Sequence, residues 1–256
     1  MQKTCVVIPC FNEAERLDPN AFLAALAGAP SLAFLFVNDG STDATLRVLE
    51  ELRARAPEQI EVLALERNSG KAEAVRRGVL QAAALGARIV GYWDADLATP
   101  LRYVPIFEQV LERDALVFVL GSRVRMLGRE VKRSAPRHYL GRGVATLAGV
   151  ALGLPVYDTQ CGAKLFKATP AVLSAFERPF ELGWSFDIEL LARLLAREAE
   201  VGDIDVRHQC CEVPLEEWTD APGSKLTVAQ FPKVASELAR LFFIVRGARR
   251  ASRQRP

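Results

Sequence analysis

Ile89-Val90-Gly91-Tyr92-Trp93-Asp94-Ala95-Asp96 is the stretch on which the reading of the fold turns. An apolar run of this length fits a strand buried on both faces, as in a parallel sheet covered by helices. An aspartate held at such a strand's end projects into a cleft, and a second carboxylate two residues on can converge with it. Such a pair suits a hard divalent cation, Mg²⁺ or Mn²⁺, with substrate phosphates completing its octahedron of oxygens. Alone, D-x-D equally describes two solvated turn acids. A second acidic element, Val37-Asn38-Asp39-Gly40-Ser41-Thr42-Asp43, also follows an apolar run and opens a helix, and that changes the weighing.

Outward from these two elements, short apolar runs alternate with helical stretches. Strands are expected over 4–8, 33–37, 60–65, 88–93 and 116–121, and helices over 20–27, 44–55, 71–85 and 101–112. Asp18 before Pro19 reads as an N-cap and first helical residue, and Ser41 or Thr42 can cap the next helix. Alternation of this kind implies an α/β fold, a mostly parallel central sheet flanked by helices, with ligands at the strands' carboxyl ends. Both acidic elements fall at that edge and point to a metal-dependent enzyme acting on a nucleotide sugar. After Gly121 the pattern changes. An apolar, small-residue stretch over 144–156 reads as a helix packed on the sheet or near a lipid acceptor. A strand over 163–166, a helix over 186–198 and a late strand near 205–214 follow. From 226 the chain reads as helical, with Val234, Leu238, Leu241, Phe242 and Val245 on one face.

A chain of 256 residues can bury a substantial core, and a formal charge of +2 gives no argument for nucleic acid. The distribution of charge says more. Arg123, Arg125, Arg129, Lys132, Arg133, Arg137 and Arg142 crowd a stretch whose one acid is Glu130, and five arginines end the chain. The five cysteines lack C-x-x-C spacing and read as reduced, packed residues of a cytosolic protein, without a structural zinc. Met1 leads almost at once into a strand, not a signal peptide, and no apolar run approaches the ~18–20 residues of a membrane span. A cytoplasmic protein is expected.

The first strand is not followed by G-x-G-x-x-G, which removes the main argument for a nicotinamide-binding domain. In its place stands Val7-Ile8-Pro9-Cys10-Phe11-Asn12-Glu13, where Pro9 fixes the exit from the strand and Glu13 can bond a ribose or orient a loop. Together with N-D-G-S-T-D, Asn68-Ser69-Gly70-Lys71 and Asp94-Ala95-Asp96, this element resembles family 2 glycosyltransferases of the GT-A fold. Later elements resemble a narrower group, the polyprenyl-phosphate (dolichyl-phosphate) glucosyltransferases. They are Gly121-Ser122-Arg123, Asp158-Thr159-Gln160-Cys161-Gly162-Ala163-Lys164-Leu165-Phe166, Phe186-Asp187-Ile188-Glu189 and Trp218-Thr219-Asp220-Ala221-Pro222-Gly223-Ser224-Lys225. The resemblance runs from residue 6 to about 225, implying a GT-A domain over 1–225 and a C-terminal amphipathic helix with a basic tail over 226–256.

The resemblance implies that Pro9, Phe11, Asn12, Glu13 and Asp39 line the nucleotide-sugar site, with Asp39 on the uracil or ribose. Gly70 and Lys71 then lie beside the base and diphosphate, and Asp94, Ala95 and Asp96 face the donor sugar. Asp96, with Asp94, would hold Mg²⁺ or Mn²⁺, which stabilises a departing nucleoside diphosphate. A polyprenyl phosphate is already an anionic nucleophile, so it needs cations for positioning and no strong base. Arg123 and Arg137 are the first candidates for that task, with Arg133, Arg142 and Lys225 behind them; Arg125 and Arg129 read as a solvated face. Asp187 and Glu189 either organise the acceptor pocket or are first-turn helix acids. The C-terminal helix and its arginines read as an interfacial anchor on the inner face of the membrane, or as a helix packed on the domain.

Three departures from the family pattern matter. Transmembrane helices common in polyprenyl-linked members are missing, and Gly70-Lys71-Ala72 replaces the usual G-K-G. Ala98 stands where mannosyl-transferring relatives carry Gln or His, which tilts the donor from GDP-mannose towards UDP-glucose. The expected activity is inverting transfer of a sugar from a UDP donor to a polyprenyl phosphate. Its competitors are a related transferase acting on GDP-mannose or a soluble acceptor, a nucleotidyltransferase, and a non-catalytic binding module. Oligomeric state is not legible in the sequence.

Overall fold

Strand β1 (Thr4–Cys10) is buried at every position but Pro9, and its apolar side chains divide strictly by parity. Val6, Ile8 and Cys10 enter one core, while Cys5 and Val7 enter the other. That division is the pleat itself, and it shows a sheet covered on both faces. The computed structural model describes residues 3–113, 115–132, 135–219 and 240, with the backbone alone for 132 and 135–140.

Along the described chain, β1 is followed by α1 (Pro19–Leu26), β2 (Leu32–Asp39), α2 (Thr45–Arg55), β3 (Ile60–Leu65), α3 (Lys71–Ala84), β4 (Ile89–Trp93) and α4 (Tyr103–Arg113). Then come β5 (Phe118–Ser122), β6 (Glu130–Lys132), α5 (Ala135–Leu152), β7 (Ala163–Lys167), α6 (Pro170–Ser174), α7 (Phe186–Glu200), α8 (Val206–Gln209), β8 (Cys210–Pro214) and β9 (Glu217–Thr219). Seven strands form one sheet in the order β3-β2-β1-β4-β7-β5-β8, and β6 pairs with β9 alongside it. Helices α1, α2 and α4 cover one face through Phe22, Leu49, Leu52 and Phe107. The other face is covered by α3, α5 and α7 through Val75, Val79, Val144, Ala148, Ile188 and Leu191.

Strands β1, β2, β3 and β4 run parallel, so their carboxyl ends share one edge. The chain leaves β1 towards β2 on one side and reaches β4 on the other. The crevice between β1 and β4 is therefore the topological switch point, where ligands of open α/β sheets bind. The mostly parallel sheet agrees with the expectation, but β7 runs antiparallel to both β4 and β5. The chain reaches β7 only after β6 and α5, and alternation in sequence does not reveal that it returns between β4 and β5 in the opposite direction.

Three local expectations need correction. Neither Ser41 nor Thr42 caps α2, whose N-cap is Ala44 without a side-chain bond; Asp43 instead accepts the Thr45 backbone N–H at 2.9 Å. The stretch read as a late strand near 205–214 begins with α8, whose first turn Asp205 caps by accepting the His208 N–H at 3.1 Å. The helix expected over 144–156 starts earlier, at Ala135. Asp18 does cap α1, accepting from the N–H groups of Asn20 and Ala21, with Pro19 first in the helix. The C-terminal helix and its tail lie outside the described residues except for Arg240. All five cysteines are free, and burial pushes the Cys5 thiol up to about 12.

Candidate active site

At the end of β1 the chain turns through Asn12, whose φ of 51° is left-handed. The turn is latched to the loop opening α2. The Asn12 N–H donates to Ser41 Oγ at 3.0 Å, and Asn12 Oδ1 accepts the Thr42 N–H at 2.9 Å. The Glu13 N–H donates to Thr45 Oγ1 at 2.8 Å, while the Glu13 carboxylate accepts from Arg16 at 2.8 and 2.9 Å. Of the two tasks open to Glu13, the ordering of a loop is the one this geometry displays. Pro9 lies within β1 opposite Val37, and Phe11 is half-buried at the strand's exit.

At the end of β2, Asp39 is buried, and its two oxygens accept the N–H groups of Ser69 and Gly70, each at 2.8 Å. Gly70 has φ 90°, a conformation a side chain would strain, and it is the residue before α3. One carboxylate thus fixes the N-S-G-K loop and sets Lys71 at the head of the helix. That brace was not legible in the sequence, where N-D-G reads as turn chemistry.

Lys71 reaches across the crevice to form an ion pair with Asp94, which follows β4 directly. Partial desolvation weakens the Lys71 charge, but Asp94, Asp187 and Asp96 outweigh it, and the ammonium is held above its ordinary value. The Asp94 N–H donates to the Gly162 carbonyl at 2.9 Å, extending the β4–β7 ladder one residue past the strand. Gly162 has a reason to be glycine: a Cβ there would stand 1.8 Å from Asp94 Oδ2. Ala95 is buried, and the turn closes through the Leu97 N–H on the Asp94 carbonyl at 3.1 Å. Asp96 accepts the Ala98 N–H at 3.1 Å. Desolvation, and then the neighbouring Asp94 charge, raise the Asp96 carboxyl above its ordinary value.

Two hard oxygen donors on one turn, one of them destabilised by crowded negative charge, fit a divalent cation. Among the described residues no cluster of three His, Cys, Asp or Glu side chains exists that could hold a metal unaided. The remaining ligands would have to come from a substrate such as a diphosphate.

Behind Asp94 lies a charge cluster that sequence reasoning did not assign. Lys164, on β7, is wholly buried and donates to Asp187 and to the Cys161 carbonyl, each at 2.6 Å. The Tyr92 hydroxyl donates to the same Asp187 oxygen. Asp187, one of the two acids expected either to organise the acceptor pocket or to open a helix, is thus engaged by Lys164 and Tyr92. Glu189 also faces inward, accepting the N–H groups of Glu181 and Leu182 at 2.9 and 2.8 Å and pairing with Arg193 at 2.7 Å. The signal for Lys164 was present in D-T-Q-C-G-A-K, but a lysine inside a strand gives no hint of total burial.

Arg123 follows β5 at the same edge. Its Nε and Nη2 fork onto Asp158 at 2.6 and 2.8 Å, and its guanidinium lies 5.2 Å from the centre of the Trp218 ring. Burial disfavours the Arg123 charge, and Asp158 more than offsets this. An acceptor phosphate would have to share Arg123 with Asp158 or displace it. Glu212 on β8 in turn holds the N–H groups of Tyr157 and Asp158, at 2.6 and 2.7 Å. Arg142 stacks 3.6 Å from the centre of the Tyr157 ring and donates to the Tyr157 carbonyl. Arg133 and Lys225 lie outside the described residues, as does the Arg137 side chain.

The architecture is that of the GT-A glycosyltransferases. Glucosyl-3-phosphoglycerate synthase from Mycobacterium tuberculosis, in complex with UDP, superposes with a TM-score of 0.66 over 96% of this chain and 80% of its own, at 18% identity. The same enzyme in complex with Mn²⁺, UDP-glucose and phosphoglyceric acid gives 0.64 at 18% identity, over 96% and 80%. The family model for glycosyl transferase family 2 matches residues 5–171, and the chain belongs to that family. Among relatives, dolichyl-phosphate beta-glucosyltransferase of Drosophila melanogaster is 33% identical over 237 residues, spanning 87% of this chain and 68% of that protein. Dolichyl-phosphate beta-glucosyltransferase ALG5C of Trichomonas vaginalis is 30% identical over 251 residues, spanning 93% and 70%. No helix among the described residues is long and apolar enough to cross a membrane.

Proposed function

We propose that this glycosyltransferase moves glucose from UDP-glucose to a polyprenyl phosphate, with inversion and with Mg²⁺ or Mn²⁺. The observation that carries the reading is the joined geometry of Asp39, Lys71, Asp94 and Asp96 at the β1/β4 switch point. Likeness to dolichyl-phosphate glucosyltransferases over most of the chain supports the sugar and the acceptor.

In this reading the loop braced by Asp39, together with Pro9, Phe11, Asn12 and Glu13, frames the nucleoside. Asp94 and Asp96 would hold the cation, which when bound stabilises charge developing on the departing diphosphate. Lys71 turns from Asp94 to the diphosphate and adds a second positive charge there. Asp94 and Ala95 border the sugar, whose C1 the acceptor phosphate oxygen attacks from the face opposite the diphosphate. The C1–O bond to UDP breaks as the new one forms, so no proton need be removed. Asp187 positions rather than deprotonates, and Arg123 with Arg133, Arg137 and Lys225 steers the acceptor anion. The protein works peripherally at the cytoplasmic face of the membrane, with its C-terminal tail as one contact.

Incubation of the chain with labelled UDP-glucose, Mn²⁺ and a short polyprenyl phosphate should yield an organic-extractable glycolipid, and Asp96→Ala should abolish it. A second reading keeps the donor and replaces the acceptor by a soluble phosphorylated metabolite. A synthase of the same architecture is solved in complex with phosphoglyceric acid, which motivates that reading. Label retained in the aqueous phase as a new phosphorylated glucoside would establish that reading instead.

A further inference from the structure

One carboxylate holds Arg123 at three of its nitrogens. The Arg123 backbone N–H and Nε both donate to Asp158 Oδ2, at 3.0 and 2.6 Å, and Nη2 donates to Asp158 Oδ1 at 2.8 Å. The side chain is thereby folded against its own backbone, and the direction of the guanidinium is fixed. Trp218, buried on β9, lies over one face of it. Asp158 is anchored in turn. Glu212 of β8 accepts the N–H groups of Tyr157 and Asp158, while Arg142 of α5 donates to the Tyr157 carbonyl and stacks on its ring. Two elements thus supply the platform on which the carboxylate stands.

Joining two segments needs only the fork. The guanidinium keeps one nitrogen besides. Nη1 has no hydrogen-bond partner among the described residues, and it is not among their buried unpaired side-chain atoms, so it is open to solvent. Strand β5 runs antiparallel to β7, as β4 does, so Arg123 emerges at the edge that carries Asp94. The Asp94 charge is among those that favour the protonated Arg123. An arginine held in this way differs from a free one in two opposing respects. The Asp158 charge weakens its pull on a distant anion, whereas its remaining N–H donors keep one direction and have little rotamer freedom left to lose. The gain therefore falls on orientation in the transfer step and not on affinity.

We infer that Asp158 is a positioning residue of the transfer step, which clamps Arg123 so that Nη1 meets the acceptor phosphate in one orientation. This rests on the proposed reading that the acceptor is a phosphate, lipid-borne or soluble. Steady-state kinetics of the full chain with UDP-glucose and Mn²⁺ test it, with a short polyprenyl phosphate and phosphoglyceric acid as the two acceptors. The acceptor that wild type uses shows which source supplies the phosphate. Transfer by wild type to neither removes the acceptor reading and the inference with it. Asp158→Asn keeps the side chain's shape but offers a single acceptor oxygen, so the fork opens. Its kcat should fall about 100-fold, with no rise in the KM for acceptor and no change in the KM for UDP-glucose. A lower acceptor KM with kcat intact would show that Asp158 only competes with the phosphate. Donor and acceptor parameters worsening together would show a pair that serves the fold alone, and either result overturns the inference. If Asp158→Asn does not fold, the pair can be removed whole by comparing Arg123→Ala with Arg123→Ala combined with Asp158→Asn, each with millimolar guanidinium chloride added. Guanidinium should restore transfer in Arg123→Ala, where the carboxylate seats it, and not in the double variant. No recovery, or equal recovery in both, would also overturn the inference.

Discussion

Single atoms set the geometry around Asp94. The space beside its carboxylate exists because Gly162 has no side chain. Gly162→Ala should displace that carboxylate by an ångström or so and lower kcat about 100-fold, with a smaller change in the KM for donor. Steady-state kinetics with varied UDP-glucose would check it. Asp96 tests the electrostatics. Its folded-state carboxyl is raised by desolvation and by Asp94, so the native state binds the proton more tightly than the unfolded chain does. Its contribution to stability is complete at low pH and declines as pH rises from about 3.8 through the raised value. Asp96→Asn should therefore melt higher than wild type near neutral pH in metal-free buffer, with the difference closing as pH falls. Calorimetric melts across that range would show the convergence. The acids themselves were legible, since a carboxylate just beyond an apolar run must emerge at a strand end. The partner Gly162 was not, because it lies just before an antiparallel strand far along the chain.

Elements contribute two braces, each crossing between secondary structures. Asp39 at the end of β2 holds the loop that starts α3 through two N–H bonds, so Asp39→Ala should release Ser69, Gly70 and Lys71 together. Charged hydrogen bonds of this kind are worth about 1.5–3 kcal/mol each, and a donor affinity lower by at least tenfold is expected by titration calorimetry. Lys164 on β7 and Asp187 on α7 form a fully desolvated pair, with Tyr92 of β4 as third member. Lys164→Met leaves Asp187 buried without its cation and should destabilise the protein by roughly 3–5 kcal/mol. Adding Asp187→Leu should recover most of that loss in urea unfolding, without restoring transfer. Strands and helices up to β5 were readable from period and breakers. The reversal at β7 escaped notice because the direction of a five-residue strand leaves no mark in its sequence.

Across the whole molecule, the parallel strands collect the ends of β1, β2 and β4 at one edge, and β5 brings Arg123 to it. Sequence order separates these groups widely, but alternation implies a shared edge of carboxyl ends, and both acidic elements were expected there; the crevice between β1 and β4 needed the strand order itself. The pairing of Arg123 with Asp158 was not foreseeable, since it depends on β7 and β8 flanking β5. In the proposed reaction this edge binds a uridine diphospho-sugar through a cation held by Asp94 and Asp96. Thermal unfolding with UDP, UDP-glucose and GDP-mannose, each with and without Mn²⁺, tests it most directly. At about 100-fold saturation the uridine ligands should stabilise the fold by roughly 2.7 kcal/mol. That gain should appear only with Mn²⁺ and vanish in Asp96→Ala. A shift confined to the guanosine ligand, or one that persists unchanged in Asp96→Ala, would contradict the claim.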